Sequence, residues 1–259
     1  MVTARDFVHL HVHTEFSLLD GKCRLGELLD TAKSAGQEAM AITDHGNLFG
    51  AIPFYKEARS RGIKPILGIE AYVAPGGMRS RRRIVTEGRK KSTFHITLLA
   101  ANEQGWNNLV RLSSAAFLEG FYYKPRVDHG VLAELGRGLI ALSGCVGGEV
   151  SQAILADDME GAERIIRQHQ EFFGPENYYL EIMNHGTELE QKAMAGLLQL
   201  SNVTGAPLVA TNDIHYIQPE DWEAQDVALC IGTGKTVGDP DRFRMNTREL
   251  YFKSTEEML

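Results

Sequence analysis

The stretch Phe7–Gly21, FVHLHVHTEFSLLDG, decides how the rest of the chain is read. Val8, Leu10 and Val12 alternate with His9, His11 and His13, the period of a strand, and predict one over Phe7–Val12. At that period residues two apart share a face, about 7 Å apart at Cα, so the three imidazoles point one way. Nothing apolar requires them there. A lone strand histidine reads as an ordinary core or surface residue, whereas three at period two read as a metal site. Asp20 follows in the loop, within reach of the same strand end.

Outward from this stretch, short apolar runs alternate with helical patterns. Further strands are predicted over Ala39–Thr43, Pro65–Val73, Phe94–Ala101, Leu139–Ser143, Tyr178–Ile182 and Leu208–Thr211. Helices are predicted over Leu25–Ala35, Leu48–Ser60, Glu103–Leu118, Gly148–Leu155, Met159–Phe172 and Leu189–Val203, with Asn47 capping the second and Gly62 stopping it. Apolar strands separated by helices are the mark of an α/β protein with a parallel sheet and helical crossovers. The number of units suits a closed or nearly closed barrel better than an open sheet, and the pattern leaves both open.

The strands end in polar residues. Thr43-Asp44-His45-Gly46 ends the second, Glu70 lies on the third and His95 on the fourth. Ser143-Gly144-Cys145 ends the fifth, and Thr211-Asn212-Asp213-Ile214-His215 the seventh. In a parallel barrel these ends meet on one face, where active sites are built. Imidazole, carboxylate and thiolate together suit Zn, Mn or Fe better than Mg or Ca.

The 259 residues are 43% hydrophobic and 24% charged, enough to bury a large core without disulfides. A net charge of -7 excludes a generic basic DNA-binding surface, so any nucleic-acid contact needs a local basic patch or bound cations. Cys23, Cys145 and Cys230 form no C-x-x-C pair, and with no signal-peptide pattern or long apolar run the expectation is a cytoplasmic protein off the membrane. Pro75–Thr93 carries Arg79, Arg81, Arg82, Arg83, Arg89, Lys90 and Lys91 against Glu87, and reads as a long exposed loop. It is either a solvated insert or an arm that steers DNA. GTGKT at Gly232–Thr236 lacks the earlier glycine of a phosphate-binding loop and is rejected as one.

HLHVHTEFSLLDG, AITDHGNLFGAIPFY, IKPILGIEAYVA, NLVRLSSAAFLEGFYYKPRVD, GLIALSGC and VATNDIHY closely resemble the polymerase-and-histidinol-phosphatase (PHP) domain that begins bacterial DNA polymerase III α subunits. The resemblance covers nearly the whole chain and implies a distorted (β/α)7 barrel holding three divalent ions, Zn2+ and/or Mn2+, with Fe as an alternative. The implied ligands are His11, His13, Asp20, His45, Glu70, His95, Cys145, Asp213 and His215, with Glu70 bridging two ions. His9 falls outside this set and reads as a neighbour, and Asp44 as a residue that orients an imidazole. Lys124, Arg126 and His185 read either as phosphate contacts or as surface residues.

The implied activity is metal-dependent phosphodiester hydrolysis by a 3′–5′ exonuclease that proofreads for a replicative polymerase. A bridging water is the attacking group, and no side-chain nucleophile is assigned. The implied partners are a DNA 3′ end, the rest of the α subunit and other replisome components. Two other readings stay open: a small-molecule phosphatase of the same superfamily, and a non-catalytic module that metals stiffen. The expected organisation is one domain over 1–259, with a barrel to about 231 and an extension over 232–259 toward a polymerase palm absent from this sequence.

Overall fold

The computed structural model describes residues 7–81, 84–86, 89–91 and 93–259, and for 84–86 and 89–91 the backbone alone. The strands are β1 (Ala39–Ile42), β2 (Lys64–Val73), β3 (Ile84–Thr86), β4 (Arg89–Lys91), β5 (Phe94–Ala100), β6 (Arg126–Val127), β7 (Leu139–Leu142), β8 (Tyr178–Ile182) and β9 (Leu208–Ala210). The helices are α1 (Leu25–Ser34), α2 (Ala51–Arg61), α3 (Glu103–Leu118), α4 (His129–Leu135), α5 (Glu149–Leu155), α6 (Met159–Phe173), α7 (Glu188–Thr204), α8 (Trp222–Thr233) and α9 (Thr255–Met258).

The main sheet runs β1-β2-β5-β7-β8-β9, with the short β6 beside β2. The first stretch of the chain closes it. Ala41 and Thr43 donate to the carbonyls of His9 and Val12 at 2.9 Å each, on the β1 side. On the other side, beyond β9, His13 donates to Ile214 at 2.7 Å and Ile214 to His11 at 3.1 Å. The hydrogen-bonded circuit is therefore a distorted mixed α/β barrel. The stretch expected as a regular strand makes an isolated parallel bridge, Val12 to Ile214, because its backbone groups are divided between two neighbours.

One expectation fails in an instructive way. β5 is antiparallel to both β2 and β7, not parallel. Its start therefore lies at the same end as the finish of β2, and the register places His95 opposite Tyr72. Within the basic stretch, read as a loop, β3 and β4 pair antiparallel. Arg82 and Arg83 lie outside the described residues.

Two apolar clusters hold the helices to the sheet. The larger packs Leu109, Leu112, Leu132, Ile154, Ile166 and Leu197 of α3 to α7 against Ile69, Ile96, Leu98 and Leu180. The other packs Leu28, Leu29 and Phe54 of α1 and α2 against Val12, Ile42, Ile214 and Phe252. Helix ends follow local chemistry. Asn102 accepts from Gly105 N at 3.0 Å to start α3, Thr187 and Glu190 form a capping box on α7, and Gly62 (φ 78°) ends α2. Asn47 does not cap α2, which starts at Ala51. Its amide instead donates to the carbonyls of Phe16 and His45, fixing the turn after His45. The helices α4, α8 and α9 lie outside the predicted set. Among the described residues no helix is long and apolar enough to cross a membrane.

Where α3 meets the turn before β7, a Cβ on Gly105 would stand 1.9 Å from the Gly138 carbonyl oxygen. Gly105→Ala is expected to lower unfolding free energy by roughly 1–3 kcal/mol through backbone displacement. Gly238→Ala, where a Cβ meets nothing within 4 Å, is expected to change it by less than about 0.5 kcal/mol. Urea unfolding of both variants checks the contrast.

Candidate metal centre

At the end of the barrel where β2 and β7 finish and β5 begins, His11, His13, Asp20, His45, Glu70, His95, Cys145, Asp213 and His215 form one connected cluster. Glu70 is fully buried at its middle. Its Oε1 is 2.8 Å from His95 Nδ1 and 3.6 Å from His11 Nε2. Its Oε2 is 3.7 Å from His13 Nε2 and closer still to His45 Nδ1. Cys145 Sγ lies 3.9 Å from His95 Nδ1. Asp213 Oδ1 faces His13 Nε2 at 3.1 Å and His11 Nε2 at 3.3 Å. Asp20 lies 3.2 Å from His45 Nε2 and 3.7 Å from His215 Nε2.

The atoms that could bind an ion are also the ones left over. His11 Nε2, His13 Nε2, His45 Nδ1, Glu70 Oε2, Asp213 Oδ1 and His215 Nε2 are buried with no hydrogen-bond partner among the described residues. The opposite nitrogens are used. Glu181 accepts from His11 Nδ1 at 2.8 Å, and the Asp213 carbonyl accepts from His215 Nδ1 at 2.7 Å. Ser17 Oγ gives its proton to Asp44 at 2.7 Å, so it must accept from His13 Nδ1 at 3.0 Å. Each of these rings therefore has Nδ1 engaged and turns Nε2 inward, the orientation a metal requires, although, against burial, Asp213 and Glu181 raise the pKa of His11 so that an ion must displace a proton there. Asp213 has φ 47°, a left-handed conformation that asparagine and aspartate adopt more readily than most residues.

The protonation balance is that of a crowded anionic site. Burial opposes charge on Glu70, but the facing charges of His95 and His45 hold its carboxyl well below the ordinary range. Burial likewise opposes charge on Asp213 and Asp20, and neighbouring imidazoles again prevail and lower both. His45 loses charge to burial, yet Glu70 and Asp20 push it up to about 10. His13 goes down to about 3, through burial and the charges of His45 and His215. Burial, Asp213 and Glu70 push the Cys145 thiol up, a bias that a nearby divalent cation reverses.

The remaining candidates are placed differently. His9 is buried, but its Nε2 donates to the Lys253 carbonyl at 2.8 Å and its ring packs on Phe7 and Phe252. Asp44 does not reach the His45 ring. It accepts from Thr14 N, Thr14 Oγ1 and Ser17, and so orients His13 through Ser17. Lys124 Nζ sits 4.1 Å from the centroid of Tyr72, whose ring borders His45 and His95. Arg126 is buried and donates to the carbonyls of Gly120 and Met78, tying loops together. His185 has both nitrogens engaged, one by Glu190 and one by the Asn212 carbonyl, beneath the turn that presents Asp213. Sequence reasoning missed Glu181 and Ser17. A glutamate inside the apolar strand YYLEI was the available signal for the first.

Fold and site together define a barrel with a buried cluster of carboxylates and imidazoles at one end that could hold metal ions. Residues 9–185 match the PHP domain family, and the chain belongs to it. It is 49% identical to DNA polymerase III subunit alpha of Treponema pallidum over 97% of this chain and 21% of that protein. The corresponding protein of Borreliella burgdorferi is 45% identical over 97% of this chain and 22% of its own length, and that of Thermus aquaticus 47% over 97% and 21%. The chain thus spans about a fifth of these relatives. An amidohydrolase structure from Chromobacterium violaceum shares the fold at TM-score 0.52 and 16% identity, covering 80% of this chain and 87% of that one.

Two outcomes follow for metal binding. Because acids keep His45 protonated up to about 10, an ion must displace that proton, so affinity should rise as pH climbs from 7 toward 10. Calorimetric titration with Zn2+ at pH 7.5, in buffers of unlike ionisation heat, should report net proton release. Glu181→Gln should weaken binding about 10- to 100-fold, since an amide no longer fixes the His11 tautomer. Unchanged affinity would mean that Glu181 does not orient the ligand.

Proposed function

We propose that this chain is the PHP domain of a bacterial replicative polymerase α subunit and hydrolyses phosphodiesters at DNA 3′ ends, as a metal-dependent 3′–5′ exonuclease. The observation that carries the reading is the convergence of nine metal-type side chains on one space, six of them with a buried donor atom that has no hydrogen-bond partner among the described residues. Three donor sets, two of them sharing Glu70, would hold three divalent ions: His11, His13 and Asp213 with Glu70; His95 and Cys145 with Glu70; and Asp20, His45 and His215. Mixed N, O and S donors suit Zn2+, Mn2+ or Fe2+. Bound there, such ions supply acidified water and neutralise phosphoryl oxygens.

The chain's own residues do the rest. Glu181, Ser17 and the Asp213 carbonyl hold three imidazoles with Nε2 directed inward before any ion arrives. The acids Asp20, Glu70, Asp213 and the Cys145 thiolate carry -4, so three divalent ions leave a surplus of +2 that attracts a phosphodiester to an acidic protein. Lys124, over Tyr72 at the rim, extends that positive field outward. Phe49, Phe117 and Phe121 follow one another at 5.9 and 6.4 Å between centroids and are exposed, a row on which unpaired bases stack. Water attacks phosphorus, the bond to the 3′ oxygen of the preceding nucleotide breaks, and a mononucleotide is released.

The test is digestion of 3′-labelled single-stranded DNA beside a simple phosphomonoester, with metal content measured on the same protein. Mononucleotide release supports the proposal. Monoester hydrolysis without DNA cleavage selects a small-molecule phosphatase, and retained metal with neither activity selects a structural module. Asp213→Asn, which keeps shape but removes a charge and a good ligand, is expected to lower activity by orders of magnitude, with fewer ions per chain and native circular dichroism. Glu160→Gln, exposed on α6, should leave activity intact.

A further inference from the structure

We propose that His129, Glu149 and His169 form a separate transition-metal site, suited to Zn2+, that ties three outer helices together. His129 and Glu149 are the first residues of α4 and α5, and His169 lies near the end of α6. Each offers one ligand atom, and these atoms all lie within 4.8 Å of one another. His129 Nε2 is 2.8 Å from Glu149 Oε2, and the two imidazole rings meet edge to face at 5.5 Å between centroids. None of the three belongs to the nine-residue centre.

The decisive feature is His169. It is 3% exposed, and neither ring nitrogen has a hydrogen-bond partner among the described residues. An imidazole always carries polar nitrogens, and leaving one buried and unmet costs about 1–3 kcal/mol. Phenylalanine would fill the same slot without that cost. The ring is held in place by Tyr178, stacked at 5.1 Å, and Phe173, at 6.2 Å. Burial brings its pKa down to about 4, so at neutral pH it is uncharged and has a lone pair to give. The hydroxyl of Tyr178 is also buried without a hydrogen-bond partner among the described residues.

The donor set agrees with the geometry. Two imidazoles and one carboxylate, with a fourth position open to water, is a common zinc arrangement. The side chains of His129 and Glu149 are 32% and 18% exposed, so the mouth of the site reaches solvent and an ion can enter there. Ligand bonds of about 2.0–2.2 Å set tetrahedral ligand atoms about 3.4 Å apart. The 2.8 Å His129–Glu149 pair therefore opens slightly and the wider separations, at most 4.8 Å, close, which rotation of the two solvent-facing side chains supplies. The bound ion would join the starts of α4 and α5 to α6, all packed on the larger apolar cluster.

The test uses the 259-residue chain, whose closed hydrogen-bonded circuit and both apolar clusters lie wholly within it. Wild type, His129→Ala, Glu149→Gln and His169→Phe are loaded with Zn2+, freed of excess and assayed by plasma mass spectrometry. Each variant should hold one zinc fewer than wild type, with unchanged phosphoesterase activity. Crystals of the wild type should show a zinc-edge anomalous peak among the three residues. Equal zinc in wild type and Glu149→Gln, without such a peak, would overturn the proposal. Loss of more than one equivalent would also overturn it, since the residues would then be serving the main centre.

Discussion

The structure depends on one buried carboxylate. Glu70 carries its charge at full burial, which a protein tolerates only when that charge is surrounded by cations or donors. Four imidazoles, from His11, His13, His45 and His95, come to within 4 Å of it. They arrive from the first stretch of the chain, from the turn after β1 and from β5. Closing the barrel is therefore also what brings His11 and His13 to this centre, beside the charged His45.

The same constraint explains the polar residues that never touch an ion site directly. Glu181 is buried within β8, and its charge is answered by His11 and by the Thr211 hydroxyl at 2.7 Å. Asp44 gathers three donors from residues 14–17 and, through Ser17, sets the direction of His13. His185 and Glu190 brace the turn that carries Asp213 into its left-handed conformation. An ordered outer ring of this kind fixes ring orientation in advance, which raises ligand basicity and lowers the reorganisation needed on binding.

The reversal of β5 shows how far a pattern of apolar runs reaches. Its run FHITLLA gives the same strand signal whichever way it points, since period-two alternation carries no direction. Read as parallel, the strand would carry His95, its second residue, to the far end of the barrel; only the reversal brings it alongside Tyr72 and into the centre. The first stretch shows the opposite limit. His9 shares the period of His11 and His13, yet it turns to Lys253 and Phe252, since the backbone there is split between two neighbours and is not a continuous strand.

By itself, the sequence determined where most strands and helices lie, the α/β class, and which nine side chains carry metal-type donors. The elements and the class follow from local periodicity, and the nine side chains from the resemblance of short motifs to the PHP family, all of it written in short segments. Only the tertiary structure decided strand direction, the closure of the sheet by residues 9–13, and the roles of Glu181, Ser17 and Asp44. It also decided that the charge of Arg126 is spent on the carbonyls of Gly120 and Met78. It brought His129, Glu149 and His169 together from three helices. Each of these depends on contacts between residues far apart in the chain, such as His11 with Glu181. Their meeting is set by packing and by the burial of charge, which no local pattern encodes.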